Sequence, residues 1–240
     1  MPNRLPHSQL IRVRGRQFGA EEVVNVLSPF VSDERKQRIE RVIAHRTYTV
    51  TPVVDGVFDM GNVSAVMRTA EALGYQSVHI IESAERFKSS TRTTQGSDKW
   101  LDVFRWKTPA KCAEYLRERG YRLVVTHLDA QTRLEDLDFT EPTALVFGNE
   151  ANGVSDEMLS LASERCIIPM TGFVESFNVS VAAAVALYHA YQQRVSALGS
   201  QGDLDDASRD RLRAEFYMRS VKESEAIIDR LASEPRRGRG

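Results

Sequence analysis

Three loops of the 240-residue chain hold residue types that could do chemistry. The first, Asp59-Met60-Gly61-Asn62, opens a helical pattern that Gly74 stops, with Asn62 as a candidate N-cap. Val63, Val66, Met67, Ala70 and Leu73 form its apolar stripe. Ser64 and Arg68, four apart, lie together on the other side, so Arg68 projects away from the core. Spacing alone makes Arg68 a solvated arginine. The second loop, Phe147-Gly148-Asn149-Glu150-Ala151-Asn152-Gly153-Val154-Ser155, brackets an acid between two glycines before a helix that Ser155 caps. It has neither the Gly-Lys-Ser/Thr of a phosphate loop nor the third glycine of a dinucleotide fingerprint. Taken alone, it reads equally as a glycine-rich turn or as a ligand loop. The third, Ile167 to Asn178, joins an apolar strand end to a Gly/Pro-bent loop and an alanine-rich helix. Such a wall suits an uncharged adenine ring, while Ser176 and Asn178 also suit helix capping.

Other chemistries are excluded by spacing. His7, His45, His79, His127 and His189 have no metal-type spacing with each other or with Cys112 and Cys166. Ser176 is not in a Gly-x-Ser-x-Gly elbow, and no carboxylate pair suits glycoside hydrolysis. Two isolated cysteines are too few for a disulfide framework and point to a reducing compartment.

The elements that must position these loops are legible as alternating runs. Apolar segments of strand length occur at Thr49–Val54, Ser77–Ile81, Leu101–Trp106, Leu123–Leu128, Ala144–Phe147 and Cys166–Pro169. Helical patterns at Val63–Leu73, Pro109–Arg119, Ser155–Ala162 and Val179–Arg194 separate most of them. Strands of nearly continuous Val/Ile/Leu, lacking period-2 alternation, predict an α/β fold with a mostly parallel sheet and helices on both faces. Ligands of such sheets bind beyond the carboxyl ends of the strands, where all three loops fall.

Around this domain, predicted at 33–195, residues 1–32 read as an arm of little regular structure and 196–240 as a helical extension with a basic tail. The run from Asp33 to Arg46 reads as an amphipathic helix capped by Ser32 or Asp33 and carrying Arg35, Lys36, Arg38, Arg41 and Arg46. The net charge is −1, so a polyanion must be met by a local basic patch. The longest apolar run, Val179 to Tyr188, is half of what a bilayer span needs, so no membrane partner is expected. The N-terminus lacks the apolar stretch of a secretory signal; a cytoplasmic location is expected, with organellar targeting by the arginine-bearing arm as the alternative.

Together and in order, the three loops resemble the motifs of the SPOUT class of RNA methyltransferases, specifically the TrmH family of tRNA (guanosine-2′-O-)methyltransferases. Asn62-x-x-Ala65-x-x-Arg68-Thr69 is similar to its first motif and Phe147-Gly148-x-Glu150-x-x-Gly153-Val154 to its second. Ile168-Pro169-Met170 with Ser176-x-Asn178-Val179-Ser180 is similar to its third. Gly96-Ser97-Asp98-Lys99-Trp100 and Thr126-His127-Leu128 also resemble family segments. The resemblance implies a C-terminal trefoil knot, a homodimer with the active site at the subunit interface, and S-adenosyl-L-methionine as methyl donor without a metal. It implies that Thr126, Gly148, Ile168, Met170 and Phe177 bind the donor. It also makes Arg68 catalytic, with Asn62, Glu150, Ser176 and Asn178 around it. The implied reaction is methylation of a ribose 2′-hydroxyl, at guanosine 18 in the D-loop of tRNA. Ribosomal RNA as substrate, or a non-catalytic RNA-binding protein on the same fold, are the alternatives. Asp59-Met60-Gly61 departs from the family's His-x-Pro-His-type lead, Phe177 stands where leucine is usual, and the arm has no family counterpart.

Overall fold

The structure, a computed structural model, describes residues 10–56, 59–82, 98–149 and 152–231. In chain order it contains strands β1 (Ile11–Val13) and β2 (Arg16–Phe18), helices α1 (Ala20–Leu27) and α2 (Asp33–Ile43), β3 (Val50–Asp55), α3 (Met60–Ala72) and β4 (Ser77–Ile81). There follow β5 (Asp102–Trp106), α4 (Pro109–Glu118), β6 (Arg122–Thr126), β7 (Thr132–Arg133) and β8 (Thr143–Phe147). The chain continues through α5 (Asp156–Leu161), β9 (Glu164–Ile167), α6 (Val179–Leu198), α7 (Asp206–Ser220) and α8 (Ser224–Leu231).

Its contacts divide the chain into two units, one over Thr47–Gln201 and the other made of Leu5–Arg46 with Gly202–Gly240. The first holds a seven-stranded sheet in the order β5-β4-β3-β8-β6-β9-β7. Every pairing in it is parallel. Every residue of β3, β4 and β8 is buried, which is why their sequences do not alternate. One side is packed by α3 and α6 through Val63, Val66, Met67, Ala183, Ala186 and Leu187, the other by α4 and α5 through Cys112, Leu116 and Met158. Helix starts are set by side-chain caps, Thr108 before α4 and Ser155 before α5. Arg194, fully buried on α6, closes the unit on itself. It donates to the Phe139 carbonyl at 2.9 Å, to Gln201 Oε1 at 3.2 Å and to Thr47 Oγ1 at 3.3 Å, so the first and last residues of the unit share one guanidinium.

The second unit departs from the sequence expectation. Residues 11–18, expected to lack regular structure, form an antiparallel hairpin whose Ile11, Val13 and Phe18 are buried, and α1 follows it. Helix α1 packs on α7 and α8, and α2 packs on α7. The helix from Asp33, predicted with the sheet domain, therefore groups with the terminal segments. Ser32 caps it, accepting from the Arg35 amide at 3.3 Å. These contacts join residues far apart in sequence, which local patterning cannot register.

Candidate active site

The carboxyl ends of β6, β8 and β9 open into a cavity of about 490 Å³, within the range of small-molecule sites. Thr126 at the end of β6, Gly148 after β8, and Ile168, Met170, Ser176 and Phe177 in the loop after β9 all line it. Each loop has a local reason for its shape. Asn149 and Gly153 exchange backbone hydrogen bonds at 2.9 and 3.0 Å, and Asn149 Oδ1 accepts from the Asn152 amide at 2.8 Å, closing a tight turn. Gly153 sits at φ +68, and a Cβ on Gly148 would lie 2.0 Å from the Gly153 carbonyl carbon. Only glycine at 148 lets the turn fold back against the strand end. The turn is held from beneath by Asp55, a buried carboxylate at the end of β3, whose Oδ2 accepts from the Ser155 amide at 2.8 Å. Thr126 donates its hydroxyl to the Val146 carbonyl at 3.0 Å, tying the ends of β6 and β8 together.

The third loop ends on Asn178, the N-cap of α6. Its Oδ1 accepts from Ser180 N at 2.9 Å and Ser180 Oγ at 2.6 Å, which commits the oxygen and leaves the amide nitrogen uncommitted. Asn178 thus flanks the cavity through its neighbours Phe177 and Val179. On α3 the structure corrects two local readings. Asp59, not Asn62, caps the helix, accepting from Gly61 N at 2.7 Å, so Asn62 lies within the first turn. Ser64 is buried and does not share the solvent face of exposed Arg68. Neither Asn62 nor Arg68 belongs to the cavity lining. Glu150 and Gly96-Ser97 lie outside the described residues.

The lining also contains residues that had no assigned role: His127, Leu128, Asp129, Phe147, Asn149, Asn152 and Ala182. His127 and Leu128 were visible as a family-like segment; the asparagines carried only the signal of a tight turn. Among the described lining residues Asp129 is the sole carboxylate, and none is a lysine or arginine. A phosphate-rich dinucleotide would lack countercharge here. S-adenosyl-L-methionine fits better: its sulfonium is cationic, and Ile168, Phe177, Val179 and Ala182 offer an apolar wall for adenine. Among the described residues no group of three His, Cys, Asp or Glu could hold a metal ion. Nor is any helix among them long and apolar enough to cross a membrane.

A parallel sheet whose strand ends open into a cavity without lysine or arginine among its described lining residues defines an α/β protein suited to a neutral or cationic nucleoside-like ligand. The chain belongs to the SpoU rRNA Methylase family, which residues 49–188 match. It is 35% identical over 205 residues to the tRNA (guanosine(18)-2′-O)-methyltransferase of Borreliella burgdorferi, covering 85% of this chain and 94% of that one. Against the Escherichia coli K12 enzyme of the same name the identity is 36% over 182 residues, covering 74% and 80%. Among solved structures, the Aquifex aeolicus TrmH/SpoU tRNA modifying enzyme superposes with a TM-score of 0.71 at 30% identity, over 80% of this chain and 98% of that one. The SpoU methyltransferase AviRb of Streptomyces viridochromogenes, solved in complex with the cofactor AdoMet, gives 0.57 at 29% identity, over 65% and 62%.

Proposed function

We propose that this protein is a tRNA ribose 2′-O-methyltransferase that uses S-adenosyl-L-methionine and acts on guanosine 18 of the D-loop. The observation that carries the reading is the convergence of Thr126, Gly148, Ile168, Met170 and Phe177, from the ends of three strands, on one cavity with no lysine or arginine among its described lining residues. These five residues hold the donor, which when bound supplies an electrophilic methyl group. Relatives named for the guanosine-18 reaction support the choice of tRNA.

The protein's own part is to align a ribose hydroxyl and ease loss of its proton. A guanidinium offers N–H donors and no acceptor, so Arg68 is suited to binding negative charge and not to taking the proton. It grips the phosphate beside the target ribose and stabilises negative charge developing on the 2′-oxygen, while the proton departs to solvent. Asn62, Glu150, Ser176 and Asn178 are assigned to acceptor binding on their match to the family motifs.

Because Arg68 is not in the cavity lining of its own chain, the reading requires a homodimer in which Arg68 of one copy meets the donor cavity of the other. An exposed apolar strip supports this: Val181, Val185 and Tyr188 are exposed at successive turns of α6, and Phe173 and Val174 are exposed in the loop before it. The strand order supports the expected trefoil knot. Thr126 on β6 and Thr132 on β7 both lie level with Cys166, so the connection 127–131 must straddle β9. A cytoplasmic location belongs to the same reading.

The test is to incubate the protein with labelled methyl donor and separate pools of tRNA and ribosomal RNA, then map label by nuclease-resistant dinucleotides. Label at guanosine 18 of tRNA is expected, and methylation of ribosomal RNA alone would overturn the substrate. Arg68→Ala is expected to lower kcat by about 10²–10³-fold with donor affinity kept. Full activity in Arg68→Lys would refute the need for a planar fork.

A further inference from the structure

The β1–β2 hairpin lies outside residues 49–188, so the shared family machinery does not account for it. Strand alternation sorts its side chains. Ile11, Val13 and Phe18 face inward, and Arg16 is on their side, paired with Asp229 of α8 at 3.3 Å and stacked 5.2 Å from the Phe18 ring. The opposite side carries Arg12 across from Gln17. Arg14 and Gly15 form the turn at φ 46 and φ 85, the both-positive pattern of a type I′ hairpin turn.

That pattern favours Asn, Asp or Gly at both turn positions, yet the first of them holds an arginine, whose Cβ makes a left-handed backbone costly. The tip is in open space, with nothing within 4 Å of where a Cβ on Gly15 would lie. Both Arg12 and Arg14 are exposed, and neither makes an ion pair among the described residues, whereas Arg16 two residues on does. The segment 5–46 is locally basic, with eight Lys/Arg against five Asp/Glu, in a chain of net charge −1. A strained position that keeps a free cation at an open tip points to a use for that cation.

We infer that the hairpin's outer side is an RNA-backbone contact, Arg14 and Arg12 each meeting a phosphate of the substrate. Contacts to phosphates carry no base information, so this one adds sequence-independent affinity. The inference rests on the RNA-methyltransferase reading for its partner but not for its geometry.

The experiment uses the full chain and an unmodified tRNA transcript, with binding measured across a salt series. Arg14→Gly removes the cation and relieves the turn, so its melting temperature is expected to hold or rise, which separates the effect from misfolding. The double variant Arg12→Gln/Arg14→Gly is expected to bind several-fold more weakly at low salt, with the log–log salt slope smaller by about 1 to 2. Its kcat at saturating tRNA should match the parent. An unchanged slope in the folded double variant overturns the contact, as does loss of retention on phosphatidylserine vesicles with RNA binding unaltered. If the parent protein binds tRNA with the steeper slope but transfers no methyl group, the enzyme reading fails and the hairpin contact stands. If it methylates tRNA and the slope does not change, the reverse holds.

Discussion

The sheet unit and the terminal unit both bury apolar side chains, but they differ in how much charge is placed at their helix contacts. In the sheet unit, strands such as β8 are buried throughout and the helices facing them meet as apolar surfaces. In the terminal unit a smaller apolar core, with Leu27, Ile43, Leu212, Phe216 and Ile228 buried, is supplemented by a charge contact between helices: Arg213 on α7 meets both oxygens of Glu40 on α2, at 2.6 and 2.9 Å, and also pairs with Asp210 of its own helix. Within α7 itself, buried Glu215 accepts from Arg211 at 2.7 Å and from Arg219 at 2.9 Å. Close packing tolerates little change of volume, whereas exposed ion pairs are soft, salt-sensitive and individually weak. The donor cavity, which needs fixed walls, is built on the packed unit.

The largest effect should come from filling space that does not exist. Gly148→Ala places a methyl group against the backbone of residues 153–154, and donor binding measured by calorimetry is expected to vanish. Leu145→Ala, at a fully buried position of β8, should cost about 2–5 kcal/mol in chemical denaturation. A cost under 1 kcal/mol would mean the sheet is less tightly packed than described.

Burial also makes the sheet unit sensitive to pH. His79 accepts at Nδ1 from the Trp106 indole N–H at 3.0 Å and stacks on Phe104. Burial, and secondarily the nearby Arg119 charge, lower its pKa to about 3. The unfolded chain takes up this proton near pH 6.5 and the folded one does not, so this contribution to stability is complete above 6.5 and is lost as pH falls toward 3. The expected slope is at most about 1.4 kcal/mol per pH unit. Denaturation at several pH values should show that slope in the parent and a shallower one in His79→Phe. The smallest effect belongs to the terminal unit: a double-mutant cycle on Arg213 and Glu40, both partly exposed, should return about 0.5–1 kcal/mol, decreasing with salt. A salt-independent coupling above that range would erase the contrast between the units.

The same contrast governs what the sequence discloses. Ser77–Ile81 is a strand at its predicted bounds, and β3, β5, β6 and β8 fall within two residues of theirs, most sharply where both faces are buried. Strand β9 (Glu164–Ile167) starts two residues before the predicted Cys166–Pro169 because its first residues are polar and only partly buried or exposed. The two-residue β7 is too short to leave a local signature. The hairpin, α1 and the grouping of α2 with α7 were not legible, since they depend on partners such as Arg16 and Asp229, 213 residues apart. At the site, the resemblance supplied the cavity residues, whereas spacing alone left Arg68 a solvated side chain. Capping by Asp59 displaced Asn62 from the helix terminus because its carboxylate reaches the Gly61 amide first. Asp55 was passed over because a carboxylate within an apolar strand has no local cue for a partner 100 residues away.

One measurement tests most directly whether donor cavity and arginine work together from different copies. Arg68→Ala and Gly148→Ala chains, each inactive alone, are mixed, dissociated and reassociated, and methyl transfer to tRNA is assayed. Random pairing makes half of the dimers hybrid, each with one intact site, so about a quarter of parental activity should return. No recovery, in a mixture proven to contain hybrid dimers, would contradict a site shared between two copies.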